Sequence, residues 1–166
     1  MSEPAPSLAP IGSSPLKVRK KNRILTADDP SGATVVRGTP GQDVAAVLET
    51  AGGTWRIQSR VDDVRQVYDR NGLTVATLRH KTMRGTDVEL PSGESIHVTT
   101  GNLQLFGIGC KVGDLASARA PFLAPQRYFK LALNDALLGR ADRDLLVALS
   151  AYLTEIVVSA QVSAQN

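Results

Sequence analysis

Hydrophobic and polar residues alternate through the central part of the chain, and this pattern predicts β-strands. Residues 54–60 (TWRIQSR) place apolar and polar side chains in strict alternation, as a strand with opposite-facing neighbours requires. Two further β-rich runs, residues 64–69 and 73–80, are separated by Arg-Asn-Gly. The dipeptide Asn71-Gly72 predicts a hairpin, because both residues tolerate positive φ.

The same pattern continues toward the C-terminus with turn signals about every ten residues. Residues 86–90 lead into a Pro-Ser-Gly turn at 91–93, and residues 94–100 return. A turn at Gly101-Asn102 precedes a strand over residues 103–108, and residues 127–133 form another candidate strand. Residues 42–50 fit either a short helix or a strand. These signals predict an antiparallel sandwich or barrel.

The last third of the chain changes character and predicts one long helix, at about residues 142–160. Two acids, Asp142 and Asp144, precede the apolar run 145–158, and acids favour a helix N-terminus. The run is apolar over most of its circumference, which suits either a buried core helix or a membrane-inserted one. It is shorter than the roughly 20 residues of a bilayer span and contains Glu155. We therefore expect a buried helix and no transmembrane span.

The first forty residues differ from the rest, with six of the nine prolines. The first fifteen contain neither a basic residue nor the apolar stretch of a secretory signal. We expect a disordered, proline-rich and basic tail over residues 1–30, followed by a domain over residues 31–162. This organisation predicts a cytoplasmic protein, with peripheral attachment to a membrane as an accompanying expectation.

Composition excludes several classes of protein without indicating a reaction. The chain is 42% hydrophobic but only 4% aromatic, and it carries a net charge of +3. Its single cysteine excludes an intramolecular disulfide and a multi-cysteine zinc site. Residues 1–30 hold five bases and three acids, so the remaining body is nearly neutral. The basic run at residues 17–23 either contacts anionic lipid or nucleic-acid phosphate, or is a solvated tail.

A second cluster of bases comes from the first hairpins, where Arg65 and Arg70 lie among further arginines and lysines. Period-two geometry places Arg56 and Arg60 on one strand face and Arg79 and Lys81 on another. If these faces coincide outside the barrel, they form a cationic surface suited to phosphate groups; the alternative is a polar outer wall. The predicted lipid- or phosphate-binding residues are Arg56, Arg60, Arg79, Lys81, Arg84, Lys17, Arg19, Lys20, Lys21 and Arg23.

Motifs for catalysis, cofactors and metals are not found in the sequence. His80 and His97 lack partners at metal-ligand spacing, and Cys110 needs a folded neighbour to act as a nucleophile. The glycines of residues 107–113 depart from a dinucleotide-binding loop and are interpreted as a strand-end turn. Asp62-Asp63 and Asp69 fit turn positions. We predict no catalytic residues, no cofactor and no metal.

The order of elements, and the residues that carry it, resemble the tubby-like C-terminal barrel superfamily, in particular its LURP-one-related and phospholipid scramblase-like branch. The resemblance lies in Trp55-Arg56-Ile57, the hairpin at 67–81, the strand at 128–131 and the helix at 144–158. It implies a mainly β (α+β) fold, an antiparallel β-barrel closed around a buried hydrophobic C-terminal helix. It also implies binding of membrane phospholipid or phosphoinositide, or a scaffold role, without shared catalytic residues.

Together these features predict a non-enzymatic binding or scaffold protein that contacts anionic phospholipid, phosphoinositide or a protein partner. One alternative is a small-ligand-binding or enzymatic barrel whose site the sequence does not reveal. Another is nucleic-acid binding through the basic tail, which the scarcity of aromatic residues for base stacking disfavours. The sequence leaves the oligomeric state open.

Overall fold

The structure is a computed structural model that describes residues 7–81, 84–100, 102–104, 107–121 and 128–165. These residues form thirteen β-strands and two α-helices. In chain order the elements are β1 (Leu16–Lys21), β2 (Ile24–Asp28), β3 (Thr34–Thr39), β4 (Ala46–Thr50), β5 (Gly53–Ser59), β6 (Val64–Tyr68), β7 (Thr74–Lys81), β8 (Gly85–Glu89), β9 (Ser95–Val98), β10 (Asn102–Gln104), β11 (Gly107–Val112), β12 (Ala116–Pro121), β13 (Tyr128–Leu133), α1 (Asp135–Leu138) and α2 (Arg143–Gln165).

Twelve of the strands close into an antiparallel barrel. Strands β1 to β9 pair in chain order, and β11, β12 and β13 continue the sheet until β13 pairs with β1 at Leu16 and Leu131. The ring closes where β9 pairs with β11 at Val98 and Val112. The remaining strand, β10, pairs with β11 beside this closure. The prediction of an antiparallel barrel is confirmed, and closure leaves the ring without an open edge.

Alternation along each strand separates a buried face from an exposed one. In β1, Leu16 and Val18 are buried while Lys17 and Arg19 are exposed. In β5, the predicted alternation over residues 54–60 is confirmed, with Trp55 and Ile57 buried. Burial of the apolar face is the main favourable contribution to such a fold. The buried strand side chains form one hydrophobic core together with side chains of α2.

Helix α2 confirms the predicted C-terminal helix and extends it to Gln165. Every residue from Leu145 to Ala151 is buried, which covers nearly two turns of the helix on all sides. The buried hydroxyls of Ser150 and Thr154 donate to the carbonyls of Leu146 and Ser150, so neither costs an unsatisfied polar group. The helix contacts strands β1, β3, β4, β5, β11 and β12.

The expected disordered tail over residues 1–30 is wrong where the structure describes it, because residues 16–28 form β1 and β2. Ile11, which precedes them, is buried in the core. The two strands are joined at Asn22 (φ 53°) and Arg23 (φ 68°), a two-residue turn whose twist matches a hairpin. The domain boundary at residue 31 is therefore also wrong, and residues 1–6 lie outside the described part of the chain.

Three local predictions also need correction. The hairpin at Asn71-Gly72 is confirmed, but only Gly72 has positive φ (83°). The carboxylate of Asp69 instead organises the turn by accepting from the amides of Asn71 and Leu73. Residues 107–113 mostly belong to strand β11 rather than to a turn, so the strand expected at 103–108 is divided between β10 and β11.

The two ends of the barrel differ. At the α1 end, α2 begins beside two turns. Asp144 of α2 accepts from Gly52 in the β4–β5 turn, and Arg140, which precedes α2, donates to Glu94 in the β8–β9 turn. At the distal end, Tyr152 and Glu155 of α2 lie beside the ends of β6 and β1, respectively. In the described part of the chain, no helix combines the length and hydrophobicity needed to cross a membrane.

Candidate anion-binding surface

Four neighbouring strands of the barrel, in the order β11-β12-β13-β1, contain seven lysines and arginines and no aspartate or glutamate. The neighbouring hairpins β7–β8 and β8–β9, by contrast, mix acids with bases. One side of the barrel is therefore consistently basic. A surface of one sign raises the local concentration of oppositely charged ligands.

Strand register brings the bases of this side into direct contact range. Arg119 is the cross-strand partner of Lys130, and Lys130 is the partner of Lys17. All three residues are exposed, as is Lys111 on β11. We call these four residues the cationic wall. Like charges directly opposite each other destabilise a sheet, so this alignment is unfavourable for the sheet and concentrates positive charge on one face.

A shallow depression of about 630 Å³ lies within the cationic wall. Its floor consists of short side chains and its borders of long basic ones. The floor includes Gly109, Ser117 and Ala132, and the borders are Lys111, Arg119 and Lys130. Ser117 pairs with both Lys111 and Ala132, and Arg119 pairs with both Gly109 and Lys130, so each of these two cross-strand rows contains small residues and bases. The depression gives a phosphate-sized group access to three cations at once.

The cationic wall ends at Lys17 and β2. The Lys17 ammonium lies 4.3 Å from the centre of the Tyr128 ring, a cation–π contact that holds the side chain in place. Arg19, the next exposed base on β1, pairs with Asp28 at 3.1 Å. Asp28 also accepts from the Thr34 hydroxyl at 2.8 Å. The charge of Arg19 is thereby countered, whereas Lys17 contacts only a neutral ring among the described groups.

The predicted hairpin cluster is brought to the exposed face of the sheet, but acids counter much of it. Arg79 forms two bonds to Glu89 at 2.9 and 3.0 Å, and Lys81 pairs with Asp87 at 2.8 Å. Lys81 and His97 together hold the pKa of Asp87 below its ordinary value. Arg56 on β5 and Arg79 on β7 are both exposed, and strand β6 lies between these two strands.

The other predicted bases lie apart from this cluster. Arg56 is exposed on β5. Arg60 directly follows the end of this strand and donates to Gln66 and Tyr68. Arg84 is exposed in the β7–β8 turn. In β1 and the turn that follows, Lys21 and Arg23 are exposed toward the distal end.

Lys20 differs from the other bases of β1. Its ammonium lies 3.7 Å from the carboxylate of Glu155 on α2. The bases of residues 17–23 therefore do not share one surface. Lys17 belongs to the cationic wall, Lys20 contacts α2, and the last two bases of the run are exposed at the distal end.

Three of the four wall residues, Lys111, Arg119 and Lys130, were not predicted as site residues. A signal for them exists in the sequence, because residues 95–134 contain four bases and a single acid, Asp114. The local pattern does not show that these residues join Lys17. Only the pairing of β13 with β1 does so.

Of the residues considered for catalysis or metal binding, Cys110 lies beneath the depression on β11, whereas His80 and His97 lie on β7 and β9. Cys110 is buried and donates to the Thr99 carbonyl at 3.2 Å, and burial raises its pKa to about 11. His97 bonds to Asp87 at 2.6 Å, and His80 is exposed on β7. Among residues described by the structure, no three His, Cys, Asp or Glu side chains are grouped to hold a metal ion.

Comparison with known proteins does not assign the chain to a family. The resemblance to tubby-like barrels stays a prediction, and the function has to be argued from the geometry of the residues. No protein-family model, no curated protein and no solved structure matches the chain.

Proposed function

We propose that this protein is a non-enzymatic binding protein whose cationic wall contacts the phosphate groups of anionic phospholipid at a membrane surface. The observation that carries the proposal is the exposed cross-strand row Arg119–Lys130–Lys17 beside Lys111, in four strands without an acid. Each lysine or arginine near an anionic membrane surface contributes about 1 kcal/mol. Four such residues are enough for reversible attachment.

We infer further that α2 fills the interior of the barrel. Seven consecutive residues, 145–151, are buried on every side of the helix. Helix α2 contacts strands β11, β12, β1 and β3 to β5, and a cavity of about 10 Å³ lies between it and β8, β9 and β11. An interior occupied by α2 does not admit a membrane surface, so an anionic membrane contacts the outer wall, where these bases lie.

A lipid surface suits the cationic wall better than a nucleic acid does. Proteins that bind single-stranded nucleic acid combine bases with aromatic side chains on which nucleobases stack. Among the described residues, the aromatic ring beside the cationic wall is that of Tyr128, and the Lys17 ammonium covers this ring. Anionic lipids are concentrated in the cytoplasmic leaflet, so the proposal also supports a cytoplasmic, peripheral location.

The test compares two triple variants of equal charge change in vesicle co-sedimentation. The wall variant is K17Q/K111Q/K130Q, which leaves Arg119 and its contacts in place. The matched control is R56Q/R70Q/R84Q, which removes three exposed arginines outside the wall. Vesicles are phosphatidylcholine alone or with phosphatidylserine or a phosphoinositide, at about 50 and about 500 mM salt.

We expect the parent to bind only the anionic vesicles, and more weakly at high salt. The wall variant should lose at least about thirtyfold in affinity, and the control less than about threefold. An equal loss in both variants would mean that total charge, not the wall, carries binding. Parent protein that binds a thymidine oligonucleotide but no vesicle would overturn the proposal in favour of nucleic acid.

A further inference from the structure

A separate cavity of about 190 Å³ opens at the distal end of the barrel, between α2 and strands β6, β7 and β8. It shares no residue with the cationic wall. Its polar lining includes Arg65, His80 and Thr86, and its apolar lining is Leu78, Leu153 and Ile156. One side of the cavity can therefore hold a charged group while the other contacts hydrocarbon.

Arg65 is the principal charged group of this cavity. It is the cross-strand partner of the buried Leu78, so its side chain starts from the buried face of β6. The residue is half-buried, and its Nη1 donates to the hydroxyl of Tyr152 on α2 at 2.8 Å. Across the described residues, no carboxylate lies within ion-pair distance of Arg65.

A partly desolvated guanidinium with one neutral partner is an unusual arrangement. Arginine has five N–H donors, and withdrawing its charge from water is costly without an anion or further acceptors. Another half-buried arginine, Arg140, lies near the opposite barrel end and is bonded to two carboxylates. The comparison indicates that Arg65 has the capacity to hold an anion that is not part of the chain.

Two neighbouring side chains can add donors. His80 and Thr86 are cross-strand partners, and Nδ1 of His80 lies 3.3 Å from Oγ1 of Thr86. Both line the cavity with Arg65. Guanidinium groups bind carboxylates and phosphates through two parallel bonds.

We propose that this cavity binds a small organic oxyanion with a short apolar chain, a monocarboxylate or a phosphate monoester. Arg65 holds the anionic group, and Leu78, Leu153 and Ile156 contact the hydrocarbon. The site is distinct from the outer wall, so it does not depend on lipid binding there.

Asp63 offers a test in the direction of tighter binding. Asp63 also lines the cavity, and its side chain is the one carboxylate among the described lining residues. Its φ is 59°, a conformation in which asparagine is as acceptable as aspartate. Asp63→Asn therefore removes a repulsive charge without changing the backbone requirement.

The probes are hexanoate, hexyl phosphate and the uncharged hexanol, titrated into the full chain by calorimetry and followed by NMR of the arginine Nε–H groups. We expect at least one of the two anions to bind and to shift the Arg65 signal, and hexanol to bind at least about tenfold more weakly. Binding of hexanoate or of hexyl phosphate identifies which oxyanion the cavity prefers. Failure of both anions to bind overturns the proposal.

Four variants locate the site. Arg65→Met should weaken binding at least about tenfold, whereas the exposed control Arg70→Met should not. Asp63→Asn should strengthen binding of the anion severalfold. If Arg65→Met does not fold, the affinity of Asp63→Asn decides whether the anion binds in this cavity. Tyr152→Phe removes the hydrogen bond but keeps the cation, so it should retain binding.

Two outcomes contradict the assignment. If Tyr152→Phe loses as much affinity as Arg65→Met, then Arg65 only positions α2. If K17Q/K111Q/K130Q loses the hexyl probe to the same extent, the anion binds the cationic wall instead. Loss of vesicle binding with intact binding of the hexyl probe would separate failure of the proposed function from failure of this site.

Discussion

The guanidinium of Arg140 forms two parallel bonds to the carboxylate of Glu94, at 2.9 and 2.6 Å. Arg140 lies between α1 and α2, and Glu94 lies in the turn between β8 and β9. Nε of the same arginine donates to Asp142 at 2.8 Å. Arg140 holds the pKa values of Glu94 and Asp142 below their ordinary values of 4.5 and 3.8. One side chain thus joins the segment before α2 to the barrel.

Replacing Arg140 should make the Tm of the protein depend less on pH. Arg140→Gln is expected to lower the Tm by a few degrees at about pH 7, because two carboxylates lose their partner. Both carboxyl pKa values are depressed in the folded protein, so the ion pairs stabilise it above the ordinary values and the benefit disappears as pH falls through the folded values. Thermal unfolding at about pH 7 and about pH 2 measures this, with the exposed Arg70→Gln as control. A Tm difference of the same size at both pH values would contradict the assignment.

The first turn of α2 is bonded to the β4–β5 turn through one carboxylate oxygen. Oδ2 of Asp144 accepts from the Thr50 hydroxyl at 2.7 Å and from the Gly52 amide at 3.0 Å. Asp144→Ala leaves the buried Thr50 hydroxyl without its acceptor, which should cost about 1–3 kcal/mol in the free energy of unfolding. Asp144→Asn retains an acceptor oxygen and should cost less. Urea unfolding of the two variants compares them, and an equal loss would show that the acceptor does not matter.

Two positions on α2 separate its buried part from its exposed part. Leu149 is 1% exposed and Ile156 is 37% exposed. Leu149→Asp should abolish folding, since an unpaired buried charge costs several kcal/mol out of a total of about 5–15 kcal/mol. Ile156→Asp should change stability by no more than about 1 kcal/mol. Circular dichroism shows whether each variant folds, and thermal unfolding compares the stability of each variant with that of the parent. A Leu149→Asp variant that melts like the parent would show that this part of α2 is not core.

Local patterns were enough to predict the middle of the barrel and the last helix. Strand β5 alternates in sequence as it does in burial, and the β6–β7 hairpin follows from turn residues next to each other in the chain. The helix follows from a long apolar run after Asp144. Each of these signals is contained within about twenty residues, so no distant contact is needed to recognise it.

The first strand and the cationic wall depend on distant contacts. Leu16 and Val18 alternate with Lys17 and Arg19, which is a strand pattern, but proline-rich sequence before it and further bases after it resemble a tail. Strand β1 pairs locally with β2, but its second neighbour in the sheet is β13, which lies more than a hundred residues later in the chain. The same pairing creates the wall. A sequence pattern read locally shows which residues are basic, but it cannot show which of them become neighbours.

The environment of Cys110 predicts an unreactive thiol. Its side chain is buried and donates to the Thr99 carbonyl, and burial raises its pKa from 9.0 to about 11. Only the thiolate reacts with alkylating reagents, so at about pH 8 the reactive fraction falls about a hundredfold. Native protein should therefore react with iodoacetamide at least about a hundredfold more slowly than protein unfolded in urea, as measured by mass spectrometry.

The pH profile separates the raised pKa from simple inaccessibility. Because deprotonation of Cys110 is displaced upward, the alkylation rate of the native protein should still be rising between about pH 9 and pH 10, where the rate for the urea-unfolded chain levels off near its ordinary pKa. Circular dichroism at each pH confirms that the native sample stays folded. A native rate that levels off at the same pH as the unfolded control would mean that Cys110 titrates as an exposed thiol, and β11 would then not bury it as the structure indicates.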